Sequence, residues 1–155
     1  MLRRVRLKAV PGRAESAKPS RYQLDDQAGF LMRVAMQRHT AIFMSRMIDG
    51  LTQPQFAALA KLLEVGPCSQ NHLGRLIYLD GATIKGVIDR LRARRLVTSQ
   101  KDPQDKRRRA IALSESGRRT AEAAVTVAAE ITAETLTPLT LDEQRAIVRL
   151  LKKLG

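Results

Sequence analysis

The hydrophobic pattern of the chain changes its period once, near Leu96, and this change limits the possible folds more than any other feature. Between residues 80 and 94, apolar side chains recur at the spacing of one helix face, at Ile84, Val87, Ile88 and Leu91. After Leu96 the pattern takes the two-residue period of short strands, over residues 96–99 and 110–113. The sequence therefore predicts an amphipathic helix that runs into a two-stranded hairpin.

Helices are predicted on both sides of this unit, so the expected fold class is mainly α. Aromatic residues make up only 3% of the chain and there is no Trp, whereas Ala and Leu recur throughout. Capping residues mark four helix starts, at Thr52, Ser69, Asp80 and Thr140. We expect about six helices and a two-stranded β-wing, with long helical regions over residues 24–47 and 115–154.

The net charge of +13 is concentrated in two segments. Residues 1–21 hold seven Lys and Arg against one Asp or Glu, residues 81–109 hold ten against three, and the rest of the chain is balanced. Charge that is focused in this way favours a polyanionic partner over a uniformly solvated basic surface. Because the first segment contains Pro and Gly and lacks an apolar period, we expect residues 1–21 to form a mobile basic arm and residues 22–155 a single domain.

Several function classes find no support in the sequence. No run of about 18 apolar residues is present and the basic N-terminus lacks the apolar stretch of a signal peptide, so we expect a cytoplasmic protein without a membrane partner. Phosphate-binding glycine loops and metal-ligand clusters are absent, so we expect no enzyme, no cofactor and no metal site. The single cysteine, Cys68, precedes a predicted helix start, and is either redox-active or a partly buried, inert thiol.

Two short helices joined by a tight turn and followed by a basic hairpin form the plan of a winged helix-turn-helix, here over about residues 52–114. The DNA major groove admits one helix, so the second helix, residues 81–94, can present its outward side chains to base edges. Those outward residues are small or polar, and the candidates are Ala82, Thr83, Lys85, Gly86 and Arg90. Unless Ser69 serves only as a helix cap, the start of the preceding helix can bind phosphates through Ser69, Gln70 and Asn71.

The charged loop of the hairpin carries a family motif. After Asp102-Pro103, residues 105–114 read D-K-R-R-R-A-I-A-L-S, which matches the signature D-x-R-x5-L-T except for Ser at the last position. On this motif and on the flanking helices, residues 22–154 resemble the MarR family of winged helix-turn-helix transcriptional regulators. The resemblance implies a homodimer formed by the first helix and the last two helices, and an Asp105–Arg107 pair that shapes the wing. It also implies a basic tip that enters the minor groove, with the candidates Lys106, Arg108 and Arg109.

Two positions on or directly after the proposed recognition helix depart from the family pattern. Arg95 occupies the position at which a glycine usually ends this helix, and we expect a left-handed backbone there, at a cost of about 1 kcal/mol for a residue other than glycine. Gly86 stands where many members carry a polar side chain that contacts a base. Base specificity at that point is therefore not expected to follow the family pattern.

Members of this family often bind small aromatic acids in a cleft between the dimer helices and the DNA-binding lobe. The resemblance therefore suggests an effector site on the first helix, at Arg33, Gln37, Arg38 and His39. An arginine pairs well with a carboxylate, and a histidine can hydrogen-bond a ring substituent. Residues 37–43 also resemble regulators of nicotinate and related aromatic-acid degradation. In the alternative interpretation, Arg38 and His39 make dimer-interface or intrahelical contacts.

The function expected from these observations is sequence-specific repression of transcription that a small aromatic carboxylate releases. A dimer would place two recognition helices on a pseudo-palindromic double-stranded DNA site, with half-sites about 10 bp apart. The alternative from another class is an architectural nucleic-acid-binding protein without an effector, whose charge pattern would be similar. A regulator should prefer its operator over bulk DNA by about 10³ or more, whereas an architectural protein should not.

Overall fold

The computed structural model describes residues 21–155, so nearly all of the basic arm expected at residues 1–21 lies outside the described residues. The described chain falls into two compact units, residues 21–35 and residues 36–155. The boundary between the units lies inside the first long helix. The arm and the single domain that the sequence suggests stay a prediction.

Among the described residues, the chain forms six α-helices and one antiparallel hairpin. The helices are α1 (Ala28–Arg46), α2 (Gln53–Val65), α3 (Gln70–Leu76), α4 (Gly81–Ala93), α5 (Glu115–Leu136) and α6 (Leu141–Leu151). The strands are β1 (Val97–Lys101) and β2 (Arg109–Leu113). No helix in residues 21–155 combines the length and the apolar character that crossing a bilayer requires. The mainly helical, winged fold class that the sequence predicts is confirmed.

Local capping bonds set the helix starts. Thr52 and Gln55 form a capping box at α2, in which Gln55 N–H donates to Thr52 Oγ1 (3.4 Å) and Thr52 N–H donates to Gln55 Oε1 (3.1 Å). Thr140 and Glu143 form the second box, at α6. Single side-chain caps begin three further helices, at Ser69, Asp80 and Ser114. Because each of these caps joins residues three apart in sequence, the sequence alone locates the starts.

Three predicted boundaries shift in the structure. The first helix begins at Ala28 rather than at residue 24, because Leu24–Asp26 forms a separate 3-10 turn. Strand β1 continues to Lys101 and strand β2 begins at Arg109, so both extend beyond the apolar alternation. Backbone pairing in an exposed hairpin does not require apolar side chains. The wing loop, residues 102–108, is consequently shorter than the sequence suggests.

The hydrophobic core of residues 36–155 lies among α2, α3, α4, α5 and the hairpin. Its largest fully buried side chains are Leu59, Leu73, Ile84, Ile88, Leu91 and Ile131. The predicted inward face of α4 is confirmed, because all four of its apolar side chains are at most 2% exposed. Burial of each contributes about 1.5–3 kcal/mol. This packing holds α4 with its polar face toward solvent.

The chain turns sharply after α4, and the turn fixes α4 to the start of α5. Arg95 has a φ of 58°, which confirms the left-handed conformation expected at this position. Its carbonyl oxygen accepts hydrogen bonds from Ser114 Oγ (2.7 Å) and Ser116 Oγ (3.1 Å). Gly117 packs directly on the Leu96 carbonyl, and a Cβ at this position would overlap that oxygen. These neighbouring contacts hold Arg95 in its strained conformation.

Candidate DNA-binding surface and effector cavity

The N-terminal end of α4 presents its outward residues to solvent, as the sequence predicts. Ala82, Thr83 and Lys85 are exposed, and Gly86 is half-buried. Asp80 caps the helix by accepting hydrogen bonds from Thr83 N–H (2.8 Å) and Thr83 Oγ1 (2.7 Å). The bond from the Thr83 hydroxyl, followed by the backbone bond, lowers the pKa of the Asp80 carboxyl. Because the Thr83 hydroxyl donates its hydrogen to the cap, it keeps only acceptor capacity toward DNA.

Arg90 provides the cationic group in the middle of the outward face of α4. Its guanidinium lies over Gly86, since a Cβ at Gly86 would sit 3.7 Å from Arg90 Nη1. The neighbouring cations are held within the helix, because Asp89 pairs with Lys85 Nζ (2.8 Å) and Arg92 Nη1 (3.0 Å). The missing side chain at Gly86 leaves room for Arg90, whose guanidinium suits bidentate contact with guanine.

The start of α3 lies beside the wing. Cys68 and Ile111 exchange two backbone hydrogen bonds, of 3.2 and 2.8 Å, in an isolated β-bridge. Ser69 caps α3 by accepting a backbone N–H at 3.2 Å, so the capping role that the sequence left open is present. Gln70 is half-buried and Asn71 is exposed. Phosphate contact by these residues stays a prediction.

The Cys68 thiol is partly buried. Burial and, second, the Asp102 carboxylate raise the pKa of the thiol. A raised pKa lowers the fraction of reactive thiolate, so the structure favours the inert interpretation of Cys68. Nowhere in residues 21–155 do three His, Cys, Asp or Glu side chains come together as ligands for a metal ion.

The ion pair in the wing differs from the one that the family resemblance implies. Asp105 Oδ2 pairs with Arg108 Nε at 3.3 Å, whereas Arg107 reaches Asp105 Oδ1 through its backbone N–H, at 3.0 Å. The loop is also closed by Arg108 N–H, which donates to the Asp105 carbonyl at 2.8 Å and brings the Arg108 side chain to the carboxylate. The expected Asp105–Arg107 side-chain pair is therefore wrong for this structure. Lys106 and Arg107 are exposed cations of the loop.

Arg109 lies in β2 and not at the tip of the wing. It pairs with Lys101 in the hairpin register, and its guanidinium donates to Ser99 Oγ (2.9 Å) and to the Ser99 carbonyl (3.3 Å). These bonds hold the Arg109 side chain along β1. The cations at the tip are thus Lys106, Arg107 and Arg108, and the Arg108 side chain is 76% exposed despite its ion pair.

A cavity of about 220 Å³ lies where α1, α2 and α5 meet. His39 and Phe43 line it from α1, Gln53 and Phe56 line it from α2, and α5 supplies Ala128, Ile131 and Thr132. The His39 and Phe43 rings are tilted, with centroids 6.3 Å apart, and the Phe43 and Phe56 rings pack edge to face, with centroids 6.0 Å apart. A mostly apolar, aromatic wall with a few polar groups suits a small planar organic ligand.

Hydrogen bonding assigns the proton of the His39 ring. The Thr135 hydroxyl donates to the Ile131 carbonyl at 2.8 Å, so its oxygen accepts from His39 Nδ1 at 3.0 Å. In the neutral form of the ring, this arrangement places the proton on Nδ1 and leaves Nε2 as an acceptor. A ligand hydroxyl or N–H in the cavity could donate to this nitrogen.

Arg38, the neighbour of His39, makes structural contacts. Its Nη2 donates to the Glu134 carbonyl at 3.2 Å and its Nε to the Thr135 carbonyl at 3.5 Å, near the C-terminal end of α5. The side-chain hydrogen bonds of Arg38 and His39 therefore run to α5 of the same chain. These bonds do not test a dimer-interface role or an effector role of Arg38.

The other predicted effector residues have different surroundings. Gln37 is exposed on α1, and Arg33, in the unit of residues 21–35, lies 5.1 Å from the centre of the Phe30 ring. Phe43 follows His39 at helical spacing and could have been predicted as its neighbour. Sequence reasoning missed the lining residues from α2 and α5, since only the tertiary fold brings these helices to α1.

The comparisons with known proteins agree with this geometry. The MarR family model matches residues 51–108. The transcriptional repressor NicR of Pseudomonas putida is 40% identical over 134 residues, which cover 86% of this chain and 85% of NicR. A probable transcriptional regulator from Pseudomonas aeruginosa, of known structure, is 48% identical with a TM-score of 0.81, over 86% of this chain and 100% of its own.

A second solved structure is Bordetella bronchiseptica BpsR, described for the regulation of its DNA binding by 6-hydroxynicotinic acid. It is 40% identical with a TM-score of 0.80, over 87% of this chain and 97% of its own. The winged helix-turn-helix, the wing motif and the extent of these similarities lead to one assignment. The chain belongs to the MarR family of transcriptional regulators.

Proposed function

We propose that the protein is a homodimeric repressor that binds a pseudo-palindromic operator through α4 and the wing and releases it when a single-ring aromatic acid occupies the cavity. The position of the cavity carries this proposal. Its walls come from α2, which packs in the core with α4, and from α1 and α5, the helices expected to form the dimer. A ligand there contacts both parts and can favour one arrangement of the recognition helices over another.

The ligand class follows from the size and lining of the cavity. About 220 Å³ is below the roughly 300–1,000 Å³ of pockets for drug-sized molecules, so one ring with small substituents is the suitable size. Phe43 and Phe56 favour a planar ring, and His39 and Gln53 offer hydrogen bonds to its substituents. The name of NicR and the regulation described for BpsR support a hydroxylated pyridine carboxylic acid as the first candidate.

His39→Ala is expected to weaken binding of 6-hydroxynicotinic acid by about tenfold or more, because the cavity loses a hydrogen-bonding group and part of its aromatic wall. Arg38→Ala is the matched comparison, since its bonds go to α5 carbonyls and not into the lining. It should leave ligand affinity nearly unchanged. Calorimetric titration of the DNA-free protein measures both. If Arg38→Ala lost ligand binding and His39→Ala kept it, the cavity would not be the ligand site, and the ligand carboxylate would instead be bound by Arg38.

The proposed dimer depends on the apolar surface of α6 and the residues directly after it. The most exposed large side chains there are Leu141 (69%), Leu150 (53%), Leu151 (51%) and Leu154 (74%). Apolar side chains that are grouped in this way mark an interaction surface. A second copy of the chain is the partner that the family resemblance implies.

Leu151→Glu is expected to shift the protein toward a 17.3 kDa monomer at micromolar concentration, because it places a charge in the apolar interface. Val65→Glu is the control: Val65 is similarly exposed, 46% against 51%, but lies at the end of α2. Sedimentation velocity distinguishes the two species. A wild type that sediments only as a monomer would contradict the dimer, and a Leu151→Glu variant that still dimerises would exclude α6 from the interface.

A further inference from the structure

The C-terminal end of α4 is tied to the connection between α1 and α2. Arg94, the residue that follows α4, donates from Nη2 to the carbonyl oxygen of Asp49 at 2.8 Å. Asp49 and Gly50 have left-handed φ angles of 53° and 57°, at the point where the chain passes from α1 into α2. Because this conformation is strained for a residue other than glycine, the orientation of the Asp49 carbonyl depends on the turn around it.

The same end of α4 is tied on its other side to the start of α5. The Leu96 carbonyl accepts Ser114 N–H at 3.1 Å and packs against Gly117, and the Arg95 carbonyl accepts two serine hydroxyls. These contacts converge on the backbone carbonyls of Arg95 and Leu96, and the close approach at Gly117 leaves no room for a side chain there. The attachment of α4 to α5 therefore runs through close contacts of the backbone, whereas the attachment to Asp49 runs through one exposed side chain, that of Arg94.

Both attachments lead to walls of the cavity. The Asp49 turn lies between the two helices that supply His39, Phe43, Gln53 and Phe56, and α5 supplies the third wall. A change in the angle between α1 and α2 moves the Asp49 carbonyl. The hydrogen bond from Arg94 couples that movement to the end of the recognition helix.

We propose that Arg94 is a positioning residue, which sets the orientation of α4 from the α1–α2 connection and so links the cavity to the fit of α4 in the major groove. The inference rests on the DNA-binding role proposed above. Specific docking requires a fixed helix orientation, whereas non-specific binding is mainly electrostatic. Loss of the Arg94 bond should therefore impair specific binding and spare non-specific binding.

Arg94→Ala is tested beside Arg92→Ala, because both variants remove one arginine near the end of α4 and Arg92 is bonded within the helix to Asp89. The full chain is titrated with an operator duplex, selected from random DNA by the wild type, and with a scrambled duplex of the same length, at several salt concentrations. Arg94→Ala should lose about tenfold in operator affinity (1.4 kcal/mol), with unchanged affinity for the scrambled duplex and an unchanged salt slope. Arg92→Ala should keep the operator preference of the wild type.

Three results would overturn the proposal. An equal loss on both duplexes with a salt slope lower by about 0.9 would show that Arg94 contacts a phosphate. An unchanged operator affinity would show that the Asp49 bond does not position α4. An equal loss of affinity for both duplexes with an unchanged salt slope, together with a lower unfolding temperature, would show that Arg94 only stabilises the fold. A wild type that does not distinguish the duplexes would refute the proposed function itself, and with it the specific complex in which Arg94 acts.

Discussion

Gly117→Ala is expected to lower the free energy of unfolding by about 3 kcal/mol, because the added Cβ would overlap the backbone oxygen of Leu96. A backbone atom cannot rotate away as a side chain can. The start of α5 cannot shift easily either, since Gly117 N–H donates to the Ser114 cap at 2.9 Å and the cap hydroxyl donates to Arg95. Overpacking costs about 1–3 kcal/mol, and this clash belongs at the upper end. Urea denaturation measures the difference.

Gly29→Ala is the control for the general effect of replacing a helical glycine. Gly29 also lies in the first turn of a helix, but a Cβ there meets no atom within 4 Å. The replacement should be neutral or stabilise by up to about 1 kcal/mol, because alanine loses less backbone entropy on folding. Equal stability of Gly117→Ala and wild type would mean that α4 and α5 are not joined by the close contact described here.

The double variant Arg107→Ala/Arg108→Ala is expected to lower DNA affinity by about 10- to 100-fold on operator and random DNA alike. Two cations of the wing tip are removed, and each lost phosphate contact should reduce the log–log salt slope by about 0.9. Arg109 is left unchanged in this test, because its guanidinium is bonded to Ser99. Fluorescence anisotropy at four or five salt concentrations gives both quantities.

Lys152→Ala/Lys153→Ala is the control for net charge, because it removes two exposed cations after α6, outside the proposed DNA surface. Both lysines adjoin Leu151 and Leu154 of the proposed dimer surface, so sedimentation velocity first establishes that the control variant has the oligomeric state of the wild type. Its salt slope should equal that of the wild type. If the wing variant kept the wild-type slope, or if both double variants lost the same slope, the wing tip would not be the phosphate-binding element. Retained affinity on random DNA with lost affinity for the operator would instead indicate base readout by the wing.

The parts of the fold that depend on local sequence were predictable. Thr52, Asp80 and Thr140 accept hydrogen bonds from residues three positions later, and the inward face of α4 follows from helical spacing. The left-handed backbone at Arg95 was predictable from the family position that it occupies. The 3-10 turn at Leu24–Asp26 was not, because its apolar and acidic residues also fit the start of a longer helix.

The sequence predicts which helices and strands carry the site, but it predicts fewer of the side-chain contacts within it. The charged run predicts a basic wing, but the choice of Arg108 over Arg107 as partner of Asp105 depends on how the loop closes. Arg109 is not a tip cation like its neighbours, because it is paired in β2 and its guanidinium is close enough to bond Ser99. The cavity is formed by three helices that are distant in sequence, so periodicity on α1 alone could identify only His39 and Phe43.

The proposed function requires that the protein binds one DNA site specifically and that occupation of the cavity releases it. The direct measurement is a titration of a labelled operator duplex and a scrambled duplex with the wild type, without and with saturating 6-hydroxynicotinic acid. We expect an operator preference of about 10³ or more and a loss of operator affinity of about 5- to 150-fold with the acid, which corresponds to a coupling of about 1–3 kcal/mol. Equal affinity for both duplexes would indicate an architectural protein, and an operator affinity unchanged by an acid that binds the free protein would contradict release through the cavity.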